Sequence, residues 1–395
     1  MIRIAKPYLT ETDTCTRLCA DLDRDGEKKT LWFEVENRFA KYLLVERNDA
    51  FVIGLLQYAF QYGHDIQSEA PLTKRFYELL TDQFLPCFYR MHKGMPCHSV
   101  KIIADVADEI PGLGNAVGTG ISCGVDSLHV FSAHPDVTHA CIWNMHGVTH
   151  GETKEKRGLG WKNLVAQAER FCAETGHELV VGNTNFDRGC FDDLAFDGST
   201  TYGNLFAAHC LQKLWSKYYV ASTYSVEDFS LKTSIFSDPT HYEYFLFPFV
   251  SIGHFSISLD AAALPRVEKV RDLLRYPPAK KFLNVCWEIN EGHRNCTYKC
   301  PKCMRTILNI WAWDALDEFK SVFDIDYVKS HLEDFLAELY RGVLQRNPYA
   351  LEMVGLFKKK HLPLSLKMRA LRIVVKKGIL KIMRFGKTNQ CFIPH

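Results

Sequence analysis

Residues 122–127 read Ser-Cys-Gly-Val-Asp-Ser. A short run bearing Val117 and Ile121 precedes them, and Leu128-His129-Val130-Phe131 follows. That order is strand, tight loop, helix start, which commits this stretch to a βα unit. A small glycine-containing loop lets backbone N–H groups converge on a phosphate, and the helix dipole behind it favours an anion. Ser122 and Ser127 add hydroxyls. The loop is not of the Walker A kind, because no Gly-Lys-Ser/Thr closes it. Gly118 and Gly120 make the preceding strand a weak one by composition.

What surrounds the loop alternates in the same way. His139–Met145, His177–Asn183 and Tyr218–Ala221 read as strands, and Leu159–Gly176, Tyr202–Lys217 and Leu264–Leu274 as helices. Alternation of this kind predicts an α/β fold with a doubly wound parallel sheet, whose ligands sit beyond the carboxyl ends of the strands. That rule puts Asn144, Asn183, Asn185, Ser222 and Thr223 near a ligand. Residues 1–114 are expected to form a separate N-terminal α/β module, with a strand over Thr30–Val35 and a buried helix over Ala50–Tyr62. Residues 115–320 form the central domain, and 321–395 a helical C-terminal region. A chain of 395 residues has room for these parts, and 47% hydrophobic with 24% charged residues describes a globular protein. A net charge of +2 argues against a globally basic nucleic-acid binder. No apolar run approaches the roughly 20 residues that span a bilayer, so no transmembrane segment is expected.

Four of the fourteen cysteines, Cys286, Cys296, Cys300 and Cys303, fall within eighteen residues. Four thiolates suffice for a closed tetrahedral Zn2+ site, and a Cys-x-x-Cys knuckle with a more distant pair is a normal spacing for one. An iron–sulfur cluster uses the same donors. Zinc is the expectation, as a staple for a loop without its own core. Cysteine-rich composition without a signal peptide fits a reducing compartment, and a cytoplasmic location is expected.

The loop resembles the Ser-Gly-Gly-x-Asp-Ser loop of the PP-loop ATP pyrophosphatases, members of the HUP-type folds, with Cys123 in place of a glycine. Loop and cysteine cluster together resemble the 7-cyano-7-deazaguanine synthase family, over roughly residues 115–310. In that family the knuckle is Cys-x-x-Cys-x-x-Cys followed by Leu-Arg. Here Cys296 and Cys300 are separated by one residue more, and Met304-Arg305 follows. The resemblance implies binding of ATP with Mg2+ and its cleavage to AMP and pyrophosphate. A carboxylate or carbonyl substrate is adenylated and then takes nitrogen, making the chain a ligase. It implies that Ser122, Gly124, Asp126 and Ser127 bind the pyrophosphate, with Cys123 and Val125 offering backbone N–H groups. Asp126 and Ser127 are the candidate catalytic residues, and Asn144 stands at the end of the second strand, where related enzymes hold adenine and ribose.

Other residues have weaker claims. Glu227 and Asp228 are candidate Mg2+ ligands. His146 and His150 are candidate acid–base groups. Asp187, Arg188, Cys190, Asp192, Asp193 and Asp197 share one loop. Arg266, Glu268 and Lys269 open a late helix, His293 lies inside the cysteine loop where it could replace one Cys, and Arg305 stands beside the knuckle. Sulfur transfer through Cys123 or Cys190 is the alternative chemistry. Lys358–Lys387 holds eleven Lys/Arg and no acidic residue, which suits a tRNA, peptide or protein partner or an anionic surface. A homodimer is a further expectation.

Overall fold

The computed structural model describes residues 1–92, 97–145, 154–186, 196–231, 238–288, 295–297, 300–359, 368 and 371–376, without the side chains of 154, 196–199, 348, 358 and 359. The chain divides into two compact units, the first built on Met1–Leu264 and the second beginning at Pro265.

The first unit is a sheet protein. Its strands in chain order are β1 (Ile2–Ile4), β2 (Tyr8–Glu11), β3 (Cys15–Arg24), β4 (Glu27–Glu36), β5 (Ile66–Ser68), β6 (Leu72–Thr73), β7 (Ile102–Ile103), β8 (Val106–Ala107), β9 (Ala116–Gly120), β10 (His139–Asn144), β11 (Glu178–Thr184), β12 (Trp215–Ala221) and β13 (Ser256–Asp260). Among the described residues eleven of them share one sheet, ordered β13-β12-β9-β10-β11-β4-β3-β1-β5-β7, with β2 paired to β3. From β13 to β11 every pairing is parallel. Numbered within that half, the order is 5-4-1-2-3, the order of a doubly wound sheet. β9 is its first strand, and the direction of winding reverses between β9 and β12.

The boundary expected at residue 114 falls inside this sheet. β4 pairs antiparallel with β11, Phe33 opposite Thr184 and Val35 opposite Gly182. Residues 1–114 and the parallel strands therefore share one hydrophobic core, which joins Ile2, Leu31 and Phe51 to Trp143, Phe206 and Trp215. The helix Asp49–Tyr62 shows why. Every residue from Asp49 to Phe60 is buried, so it has no solvent face, and it packs on the helix Phe196–Cys210. A helix apolar on all sides can form only inside a larger core.

Gly118 is better placed than composition suggests. A Cβ there would come within 2.8 Å of the Tyr218 ring and 2.9 Å of Trp215, so glycine lets both rings lie against β9. Two boundaries also shift. The helix expected over Tyr202–Lys217 runs Phe196–Cys210, and the strand after it starts at Trp215. β13 has no counterpart in the reading of the sequence.

The second unit is helical. It contains Arg266–Leu273, Pro277–Phe282, Pro301–Ala312, Ile325–Ser330, Leu332–Leu344 and Pro348–Lys359. Most of the basic tail lies outside the described residues. Among the described residues no helix is long and apolar enough to cross a membrane.

Candidate nucleotide loop and metal centre

β9 ends at Gly120 and the chain turns through residues 121–124 into the helix Val125–Ala133, with Gly124 as its N-cap. The loop thus stands at the carboxyl edge of the parallel strands, on the strand where the winding reverses. Hydroxyls hold its shape. Ser122 Oγ accepts the Gly124 N–H at 3.3 Å, and Ser127 Oγ accepts the Ser122 N–H at 3.3 Å. Ser127 Oγ donates to the Gly124 carbonyl at 3.2 Å and lies 3.2 Å from Ser122 Oγ. Cys123 and Val125 turn their side chains into the core, Ser122 is exposed, and Gly124 and Asp126 are half-buried. The turn therefore exposes Ser122 and part of Asp126, while Ser127 is buried.

Cys123 has φ +56°. That left-handed conformation is one an L-residue adopts at a cost and glycine adopts freely. The position calls for glycine on conformational grounds, and this chain fills it with a cysteine that is 1% exposed. Burial pushes the Cys123 thiol well above its ordinary range.

The neighbouring carboxyl ends carry Asn144 and Asn183, opposite each other in register, with Asn144 Nδ2 donating to Asn183 Oδ1 at 3.0 Å. Asn185 does other work. It accepts the Trp32 N–H at 3.0 Å and donates to the Thr30 carbonyl at 2.7 Å, continuing the pairing of β11 with β4. Ser222 is buried and Thr223 half-buried just past β12, while Glu227 and Asp228 lie exposed on a single 3-10 turn. His146, His150, Asp187, Arg188, Cys190, Asp192, Asp193 and His293 lie outside the described residues, as does the side chain of Asp197.

In the second unit the four cysteines converge. The Sγ atoms of Cys286, Cys296, Cys300 and Cys303 all lie within 4.8 Å of one another. Cys296–Cys303 and Cys286–Cys300 are each separated by 3.8 Å. Zn–S bonds of about 2.3 Å in a tetrahedron give S···S edges of ~3.8 Å, so this donor set could hold a metal ion such as zinc. Backbone N–H groups already point at the sulfurs, as around a bound thiolate. Those of Glu288 and Cys296 donate to Cys286 Sγ at 3.4 Å, and that of Cys303 to Cys300 Sγ at 3.4 Å. The hydrogen bonds shared among these thiols pull the Cys300 thiol down and push those of Cys286 and Cys303 up.

Asn295 was not legible as part of this centre. Its Oδ1 accepts the N–H of Val285 at 2.9 Å and of Cys286 at 3.2 Å, and its Nδ2 donates to the carbonyls of Leu283 and Val322. One amide ties both arms of the cysteine loop together. The only hint in the sequence is its place next to Cys296. The Arg305 guanidinium lies 4.0 Å from the Tyr349 ring centre. Arg266 faces the same ring at 5.8 Å, Glu268 pairs with Arg271 at 3.4 Å, and Lys269 is buried.

Sequence reasoning also missed Asp260, which is 4% exposed at the end of β13 and carries His129 and His134 on its two oxygens. The alternation Ser-Ile-Ser-Leu-Asp is a short strand signal that could have located it. No protein-family model, curated protein or solved structure matches this chain.

Proposed function

We propose that the chain is an ATP-dependent ligase of the PP-loop type. It would convert ATP to AMP and pyrophosphate while activating a carboxylate or carbonyl for nitrogen transfer. The observation that carries the reading is the Ser122–Ser127 loop. It stands at the carboxyl end of the first strand of a 5-4-1-2-3 parallel arrangement, beside the reversal of winding. The left-handed Cys123 adds to it, because it occupies the position where the resembling family has glycine.

In this reading Ser122, Ser127 and the N–H groups of the first helical turn cradle the phosphates. Asp126 is the one carboxylate of the loop and would help hold Mg2+. The metal's role is to neutralise charge on the departing pyrophosphate. A substrate carboxylate oxygen attacks the α-phosphorus, the bond from that phosphorus to the bridging oxygen breaks, and pyrophosphate leaves. Ammonia then attacks the acyl carbon, AMP departs with the carboxyl oxygen, and a proton is lost to give the amide. The cysteine centre would be a structural zinc site.

Sulfur transfer through Cys123 has less support. A carrier thiol must be accessible and readily ionised, and Cys123 is buried with its thiol pushed up. A tRNA, peptide or protein substrate keeps the basic tail in play.

The test is to incubate the zinc-loaded protein with α-labelled ATP, Mg2+, ammonia and a panel of carboxylates, and to resolve AMP from ADP. AMP and pyrophosphate formed with one substrate, and lost in Ser122→Ala and Asp126→Asn, would support the reading. ADP as product would overturn it.

A further inference from the structure

The helix Val125–Ala133 carries the last residues of the nucleotide loop in its first turn, and a buried carboxylate holds it from the side. His129 Nδ1 lies 2.8 Å from Asp260 Oδ2, and His134 Nε2 lies 2.8 Å from Asp260 Oδ1. His129 sits one turn beyond Val125 and Asp126, and His134 ends the helix. The His134 ring also stacks on Tyr219 of β12, with centroids 3.8 Å apart and planes 19° apart. Asp260 closes β13, the strand at the edge of the parallel half. Burial alone would raise its carboxyl, but the hydrogen bonds and charge of His129 and His134 outweigh that and hold it below the usual range.

The bond to His129, one turn into the helix, sets the rotation of its first turn, while the bond to His134 holds its C-terminal end. Buried polar bridges can often be replaced by apolar groups without loss of stability, so this one is read as setting orientation. Small displacements of groups that grip a reacting substrate are costly to rate. We propose that Asp260 is a positioning residue for the Ser122–Ser127 loop. It acts through His129 to set the first turn that presents Asp126 and Ser127. The role in ATP binding rests on the function proposed above; the role in ordering the loop does not.

The experiment uses the full chain and the variants Asp260→Asn, His129→Leu, His129→Asn and His134→Leu, well below their melting temperatures. Asparagine at 129 keeps an N–H donor where Nδ1 stood. Hydrogen exchange is measured for the amides of Gly124–Leu128, and Mg-ATP affinity by calorimetry. Asp260→Asn and His129→Leu are expected to speed exchange there by about tenfold and to weaken Mg-ATP by about tenfold. His129→Asn should restore both to within about threefold, and His134→Leu should lower Tm while moving neither by more than about twofold. Combination of His129→Leu with Ser122→Ala should cost less than the product of the two, because both act on one loop. Equal changes in all variants, in proportion to Tm, would overturn the proposal and leave a plain structural brace. If the exchange pattern holds but the wild type has no affinity for Mg-ATP, the positioning role stands and the nucleotide reading falls. Should Asp260→Asn fail to fold, the contrast of His129→Leu with His129→Asn decides alone.

Discussion

Cys123 carries two opposed effects in one residue. Its φ of +56° costs a non-glycine residue roughly 1 kcal/mol, and its buried sulfur returns a similar amount through packing. Cys123→Gly removes both and should leave stability within about 1 kcal/mol of wild type. Cys123→Ala keeps the strain and loses the sulfur, for a loss of about 1 kcal/mol, and Cys123→Val, β-branched in a left-handed position, should lose about 2 kcal/mol or more. Urea melts of the three variants check the order. The same burial should protect the thiol: brief alkylation of the folded protein, read by mass spectrometry, should label exposed Cys87 and spare Cys123. Asp49 offers a second test at this scale. Burial raises its carboxyl to about 6, against the bonds it accepts from the Thr73 N–H and hydroxyl at 2.8 and 2.5 Å. The folded state therefore takes up a proton near pH 6 that the unfolded chain takes up only near its ordinary value of 3.8. Stability contributed by that proton is complete below pH 3.8 and is lost as the pH rises through about 6. Relative to Asp49→Asn, the wild type should gain on the order of 2 kcal/mol between pH 7 and pH 4, measured by chemical denaturation at each pH. A flat difference would show that Asp49 does not titrate in that window. Neither property is legible in the sequence, because both depend on which atoms surround the side chain.

Elements differ in how openly the sequence declares them. The cysteine centre is nearly explicit, since a metal site needs particular donors and the donors cluster in sequence. The support supplied by Asn295 is not, since it bonds backbone groups as far away as Val322. Asn295→Ala would leave two N–H groups and two carbonyls without this partner and should cost about 2–3 kcal/mol in the second unit. Elemental analysis should find one zinc per chain. Removal of the metal by a strong chelator should lower Tm by about 5 °C or more, as should Cys300→Ser. Iron with visible absorption in place of zinc would identify a cluster instead. The helix Asp49–Tyr62 was legible from its predominantly apolar run over Ala50–Tyr62. β13 was not, because five residues with two small polar ones give a weak period-2 signal, and the strand forms only against β12.

At the scale of the molecule, the parallel half and the N-terminal residues share a sheet and a core through the antiparallel pairing of β4 with β11. A fragment of residues 115–264 would expose the edge of β11 and strip the face of Phe196–Cys210 that covers Asp49–Tyr62. It should be insoluble, while residues 1–264 should give a cooperative melt and native-like far-UV circular dichroism. A folded 115–264 fragment would show that the N-terminal residues are an appendage. The alternation of strands and helices, the βα loop at Ser122–Ser127, the buried first helix and the four metal-type donors were all determined by sequence alone. Each is a local pattern of residue types at short spacing, and local chemistry is enough to specify it. Strand order, the merging of residues 1–114 into the sheet, the left-handed Cys123 and the Asp260 bridge to His129 and His134 were decided by tertiary structure. The strand pairings and the bridge join residues up to about 150 positions apart, and only the packed core determines which of many such partners meet.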